Sequence, residues 1–275
     1  MKRPSPPPTT RAAPLTPLAD APAGPLGPSA TLPSVDAETM RAVDRLAVKE
    51  FGISLLQMME LAGSHLAEVA RLELGGSLTG RRIVVAAGSG HNGGGGLVAA
   101  RHAQNRGARV QVVLARPVNR LAPATRAQVA TLVEMGVPCC VADYDLTPAA
   151  LDELLAAADL LIDAVLGYGT LGPLRPEVAG LLERLQAAGR PILSLDLPSG
   201  LDPDSGEPAG AAVRAAATMT VALPKRGLLT ETGRRHAGRL YLADIGLPRA
   251  LYSRLGLEVD GVFAAGRVVA LQEVG

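Results

Sequence analysis

Two aspartates stand where chemistry could be done. In Leu160-Leu-Ile-Asp163-Ala-Val-Leu-Gly167-Tyr-Gly169 and in Leu193-Ser-Leu-Asp196-Leu-Pro-Ser199-Gly200-Leu-Asp202, an acid closes an apolar run and a flexible loop follows. A carboxylate at the mouth of a buried strand loses solvation, which raises its proton affinity and suits it to general acid or base work. The same two carboxylates, with the Asn92 amide oxygen, the Ser199 hydroxyl and backbone carbonyls, form a donor set for a hard cation. A single such acid is more simply read as a loop or helix cap. Two in register beside a glycine-rich stretch favour a site, and the residues alone leave both roles open.

That stretch is Gly88-Ser-Gly90-His91-Asn92-Gly93-Gly94-Gly95-Gly96, between the apolar run Arg82 to Ala87 and a helical pattern beginning at Leu97. It is expected to be a loop where a strand turns into a helix N-terminus, whose unpaired N–H groups and dipole suit an anion such as a phosphate. Gly88-x-Gly90-x-x-Gly93 matches the dinucleotide fingerprint, but the acid about twenty positions on is missing, and the next strand ends near Ala115 and Arg116. No Lys-Ser/Thr pair closes the stretch, so it is not a P-loop. Such glycines also serve tight strand-to-helix packing, yet four in succession exceed that need, since each costs backbone entropy. A further cationic pair, Lys225 and Arg226 after Thr220 to Pro224, either meets phosphate charge or forms a solvated basic turn.

Other chemistries lack their residues. There is no HExxH, CxxC pair or histidine cluster for zinc, and Leu197 and Leu201 stand where a hydrolase elbow around Ser199 would need glycines. A net charge of +1, no Trp and 2% aromatic residues exclude a polybasic or base-stacking nucleic-acid protein. No run of about eighteen uncharged apolar residues predicts a membrane span. The only cysteines, Cys139 and Cys140, are adjacent and cannot staple distant segments, so they are read as strand residues in a reducing cytoplasm.

The positioning elements follow from periodicity. Residues 1–33 are Pro-rich and expected to be disordered, with prolines interrupting any targeting helix. Helices are expected from Ala37 to Phe51 and from a Ser54 cap to Leu74, the methionines of the second belonging to the core. Strands at Arg82 to Ala87, Arg109 to Ala115, Pro138 to Val141, Leu160 to Asp163, Pro191 to Asp196, Thr218 to Leu223 and Arg239 to Ile245 then appear in sequence. Helices at Pro123 to Met135, Pro148 to Ala158, Pro176 to Ala188 and Pro248 to Leu255 separate or follow them. Such alternation predicts an α/β fold, a three-layer Rossmann-like sandwich with a mostly parallel central sheet and helices on both faces. The domain is drawn over 34–257, with an apolar C-terminal extension at 258–275 whose pattern fits neither element cleanly.

From Val35 to about Leu255 the chain resembles the NAD(P)H-hydrate epimerases. The glycine stretch with Leu-Val-Ala-Ala-Arg-His resembles that family's GxGNNGGDGLVAARHL, and Asp163 to Leu171 its DALFGTGL. Asp196 to Asp202 resembles DIPSGxD, Leu223 to Leu229 resembles APKxGLL, and Ala243 to Pro248 resembles ADIGIP. The resemblance implies epimerisation of the R and S forms of hydrated NADH and NADPH, which carry a hydroxyl at C6 of the nicotinamide ring. It implies substrate contacts at His91, Asn92, Gly93, Gly94, Gly95, Gly167, Tyr168, Gly169, Thr170, Leu171, Gly172, Pro173 and Asp196, with Asp196 as general acid/base. It further implies one potassium ion per subunit at Asn92, Asp163 and Ser199, and is compatible with a homodimer. Asp196 could protonate the departing hydroxyl while the ring nitrogen assists and water returns on the other face; ring opening and reclosure is equally permissible.

The chain departs from the family pattern at His91 and Gly95, where relatives carry Asn and Asp, and at Leu61, where MENAG has Asn. A catalytically silent nucleotide-binding or interaction module on this fold is therefore the alternative, and the missing ribose-binding acid argues against an NAD(P)-dependent oxidoreductase. The sequence ends before the ATP- or ADP-dependent, S-specific dehydratase domain of many relatives, so a separate dehydratase is expected to act in trans.

Overall fold

The computed structural model describes residues 32–170, 172–264 and 266–271. The Pro-rich residues 1–31 lie outside them. Asp36 accepts a hydrogen bond from the Thr39 N–H (2.8 Å) and caps α1 (Ala37–Lys49), and Ser54 opens α2 (Leu55–Glu73) in a reciprocal capping box with Gln57. β1 (Arg82–Ala87), β2 (Arg109–Leu114), β3 (Cys139–Val141), β4 (Leu160–Ala164), β5 (Ile192–Leu195), β6 (Ala217–Val221) and β7 (Arg239–Ala243) follow, with α3 (His91–Asn105), α4 (Pro123–Glu134), α5 (Pro148–Ala156) and α6 (Pro176–Ala187) as crossovers. With β8 (Val268–Leu271) at one edge, the sheet runs β3-β2-β1-β4-β5-β6-β7-β8, and every pair from β3 to β7 is parallel. This is the expected α/β architecture.

Both faces of the sheet are covered, which is why its strands read as continuous apolar runs. On β1, Ile83, Val85 and Ala87 pack with α2, α3 and α4, while Val84 and Ala86 pack with α5 and α6. The adjacent cysteines divide in the same way, Cys139 to the first layer and Cys140 to the second, and both are half-buried on the short edge strand β3. A third cluster joins α1 and the start of α2 to α9 (Arg249–Arg254) and the outer strands.

Three features differ from the sequence expectation. The glycine stretch is not a loop through Gly96: α3 begins at His91, and Gly93 to Gly96 are buried in its first turns. A Cβ at Gly93 would lie 2.0 Å from the Gly88 carbonyl oxygen, and one at Gly96 would lie 2.4 Å from Ala164 Cβ, so close packing accounts for these glycines after all. Between β6 and β7 the chain forms the short helices α7 (Arg226–Leu229) and α8 (Glu231–Ala237), too brief and glycine-broken to show a period. Beyond Glu258, β8 (Val268–Leu271) adds an antiparallel edge strand along β7.

Candidate functional site

A cavity of about 420 Å³ opens at the C-terminal ends of β1, β2, β4 and β5, where open parallel sheets bind ligands. The turn after β1 supplies Gly88 to Asn92, the β2 exit supplies Arg116, the β4 exit supplies Val165 to Thr170 and the β5 exit supplies Asp196. Met40 and Asp44 of α1 and Leu55, Met58 and Met59 of α2 close the opposite side, so the methionines read as core also wall the cavity.

Asp196 is held by backbone and charge together. Its φ is +71°, a left-handed conformation that costs a non-glycine residue about 1–3 kcal/mol and survives where the surroundings over-determine it. Its N–H donates to the Met219 carbonyl (2.8 Å), and Oδ2 accepts from the Tyr168 N–H (3.1 Å). Lys225 Nζ is ion-paired to Oδ1 and also donates to Thr220 Oγ1 (3.3 Å) and the Val221 carbonyl (3.1 Å). Lys225 is 0% exposed, which overturns the solvated-turn reading and leaves it no access to a phosphate; Arg226 pairs instead with Asp36 at 3.3 Å.

A second carboxyl reaches the same place from α1. The Tyr168 hydroxyl donates to Asp44 Oδ2, and the Tyr168 ring lies 5.6 Å under Lys225 Nζ. Burial pushes the Asp44 carboxyl above its ordinary range, against the pull of the Tyr168 hydrogen bond and the Lys225 charge. Burial also raises the Tyr168 phenol, helped by the Asp44 charge. Neither Asp44 nor the burial of Lys225 is anticipated from the sequence. The signal for Asp44 exists, since it stands four residues after Met40 and so falls on the buried stripe of α1.

Asp163 is fully buried behind the cavity. Its Oδ1 accepts from Ser199 Oγ (2.5 Å) and the Val165 N–H (3.2 Å), and its Oδ2 from Ser194 Oγ (2.8 Å) and the Ser199 N–H (2.8 Å). Burial raises its proton affinity, and these hydrogen bonds oppose that rise. All four donors are neutral, and no cation pairs with Asp163 among the described residues. An uncompensated carboxylate at this depth is costly unless a positive charge joins it. Asn92 Nδ2 donates to the carbonyls of Leu166 (2.9 Å) and Leu195 (3.2 Å), and Ser199 Oγ accepts from the Leu166 N–H (2.8 Å). Asn92 and Ser199 thus converge on the Leu166 backbone, and Asp163 joins them through Ser199; the carboxylate, hydroxyl and carbonyl oxygens gathered there are of the kind a hard cation takes. Among the described residues no group of three or more His, Cys, Asp or Glu side chains could hold a metal.

The remaining residues named from the sequence are distributed as follows. His91, Asn92, Gly95, Gly167, Tyr168, Gly169 and Thr170 border the cavity with Asp196. Gly93 and Gly94 are buried in α3 behind that wall, Gly172 and Pro173 are exposed beyond it, and Leu171 lies outside the described residues. Leu61 is half-buried in the apolar cluster near Gly246 and does not line the cavity.

The family model described as YjeF-related protein N-terminus matches residues 55–227. The chain is 42% identical over 233 residues to the NAD(P)H-hydrate epimerase of Dehalogenimonas lykanthroporepellens, covering 84% of this chain and 90% of that protein. It is 39% identical over 218 residues to the bifunctional NAD(P)H-hydrate repair enzyme Nnr of Moorella thermoacetica, covering 79% of this chain and 41% of that one. The crystal structure of yeast ynu0 superposes with a TM-score of 0.76 at 26% identity, covering 87% of this chain and 100% of that one. With the matched segment running from α2 to Gly227, and so through the turns that carry Asn92, Asp163, Asp196 and Lys225, the chain belongs to the YjeF-related N-terminal family, that of the NAD(P)H-hydrate epimerases.

Proposed function

We propose that the chain epimerises the R and S forms of hydrated NADH and NADPH, with Asp196 as general acid and base. The observation that carries this is a buried carboxylate aimed into a largely apolar cavity and coupled to a wholly buried ammonium. Lys225 is too deep to touch substrate, so proton exchange with the ring falls to Asp196. Protonated by Asp196, the C6 hydroxyl leaves as water, and the ring-nitrogen lone pair stabilises the resulting cation. Water then adds to the other face of C6 and returns its proton to Asp196, so atoms and charge balance over the cycle. Met40, Leu55, Met58 and Met59 limit the water that reaches the cation.

Asn92, Asp163 and Ser199 are proposed to hold one potassium ion per subunit, which would supply the positive charge that the buried Asp163 lacks and tie together the turns after β1, β4 and β5. The S epimer would be consumed by a separate ATP- or ADP-dependent dehydratase acting in trans. The half-buried free thiols Cys139 and Cys140 fit a cytoplasmic setting, and no helix among the described residues is long and apolar enough to cross a membrane.

The test supplies mixed epimers of either hydrate with an S-specific dehydratase. The chain should accelerate disappearance of the R form, and Asp196→Ala should abolish the acceleration. No acceleration by wild type would refute the proposal.

A further inference from the structure

The cavity has two ends of different charge. The Asp44 and Asp196 carboxyls line the β4–β5 end, with Lys225 ion-paired to Asp196 and the buried Asp163 behind the wall. At the β2 end Arg116 lines the cavity, and Arg120 is exposed on the adjoining turn Val118–Arg120. Arg116 makes no ion pair among the described residues. A phosphate entering the cavity is repelled by the first end and drawn to the second.

The strand order fixes what the second end should meet. In doubly wound sheets whose order begins β3-β2-β1-β4, a dinucleotide lays its pyrophosphate over the turn after β1 and its adenosine ribose against the end of β2. An acid there binds the free 2′-hydroxyl, whereas an arginine accommodates a 2′-phosphate. Here that strand exits as Leu114-Ala115-Arg116, and no acid occurs from Arg109 to Arg120.

The arginine is also fixed relative to the glycine turn. The Ala115 N–H donates to the Ala87 carbonyl (2.9 Å), the Ala122 N–H to the Ser89 carbonyl (2.9 Å) and Thr125 Oγ1 to the Gly90 carbonyl (2.8 Å). The segment carrying Arg116 is thereby bonded on both sides to the turn where the pyrophosphate would lie. A guanidinium can meet a phosphate with two parallel hydrogen bonds, which an uncharged 2′-hydroxyl cannot match.

We propose that Arg116 reads the adenosine 2′-phosphate and makes the chain selective for the hydrate of NADPH over that of NADH. This rests on the epimerase proposal for what happens at the ring, while recognition at the adenosine end can be measured without any turnover.

The experiment measures kcat/KM for the R form of each hydrate, with an S-specific dehydratase in excess, for wild type, Arg116→Ala and Arg116→Asp, and records the Tm of each to confirm folding. Wild type should prefer the NADPH hydrate by about tenfold to hundredfold, the worth of one or two charge-assisted hydrogen bonds. The ratio should fall to near one in Arg116→Ala and invert in Arg116→Asp. A wild-type ratio near one, or a preference that survives Arg116→Ala, overturns the proposal. In parallel, adenosine 2′,5′-bisphosphate and 5′-AMP are titrated calorimetrically. The bisphosphate should bind wild type more tightly, and Arg116→Ala should make the two equal. If neither hydrate turns over, the epimerase proposal falls and this titration alone decides: an Arg116-dependent preference for the bisphosphate upholds the specificity, and equal binding to wild type overturns it.

Discussion

Replacing Lys225 by Met tests the pair on which the proposed chemistry depends. The side chain is 0% exposed and Asp196 is 3% exposed, so the substitution conserves volume but leaves the carboxylate with the Tyr168 N–H as its remaining donor. Removing one partner of a buried ion pair costs about 3–5 kcal/mol. At about 2–4 °C per kcal/mol for a domain of this size, Tm should fall by roughly 6–20 °C. Asp196→Asn strands the ammonium instead, although Thr220 Oγ1 and the Val221 carbonyl still accept from it, so its cost should lie toward the lower end of that range. In the double variant neither charge is stranded. Urea unfolding at constant m should therefore show the double variant recovering about 2–3 kcal/mol relative to the sum of the singles. Costs that simply add, within about 0.5 kcal/mol, would refute the coupling between Asp196 and Lys225. Lys225→Met should also lose turnover while keeping Asp196.

Two further outcomes follow from the same region. Wild type should gain thermal stability with added KCl relative to choline chloride, by about 2.7 kcal/mol at a hundredfold excess over the dissociation constant, and Asp163→Asn should abolish that response. Burial raises the Asp44 carboxyl in the folded state above its ordinary value of 3.8, so its contribution is complete below about that pH and is lost as pH rises through the raised value. Asp44→Asn should therefore gain stability relative to wild type from about pH 4 toward neutrality, and unfolding curves at several pH values that stay parallel would contradict this.

Much of this site was legible because open parallel sheets place function where apolar strands end, and Asp163 and Asp196 close two such strands. What escaped has particular causes. Gly93 to Gly96 look like a loop because glycine is a poor helix former, but contacts with Gly88, Met59 and Ala164 leave no room for side chains and tertiary packing overrides propensity. Lys225 looks solvated because lysine is almost never fully buried unless paired, and its partner lies 29 residues away on another strand exit. α7 and α8 are too short for periodicity, and β8 pairs antiparallel without the crossover helix that announces its neighbours.

The three positions at which the chain departs from its family bear on the cavity unequally. Leu61 is outside its lining, packed among apolar side chains, so its loss of an amide leaves the walls unchanged. His91 is exposed at the first position of α3, on the rim of the turn that would hold the pyrophosphate. Gly95 is the departure that reaches the centre: a Cβ there would lie 2.8 Å from Leu195 Cδ2, next to the residue that precedes Asp196. An aspartate at that position would bring a like charge toward Asp196 and compete with Lys225 for its influence. Glycine there leaves Asp196 with one cationic partner and no anionic neighbour contributed by α3. Asp196, Lys225, Asp163, Ser199 and Asn92 are all retained, so the departures at His91 and Gly95 alter the α3 side of the cavity and leave the Asp196–Lys225 ion pair and the Asn92, Asp163 and Ser199 hydrogen bonds as the fold builds them.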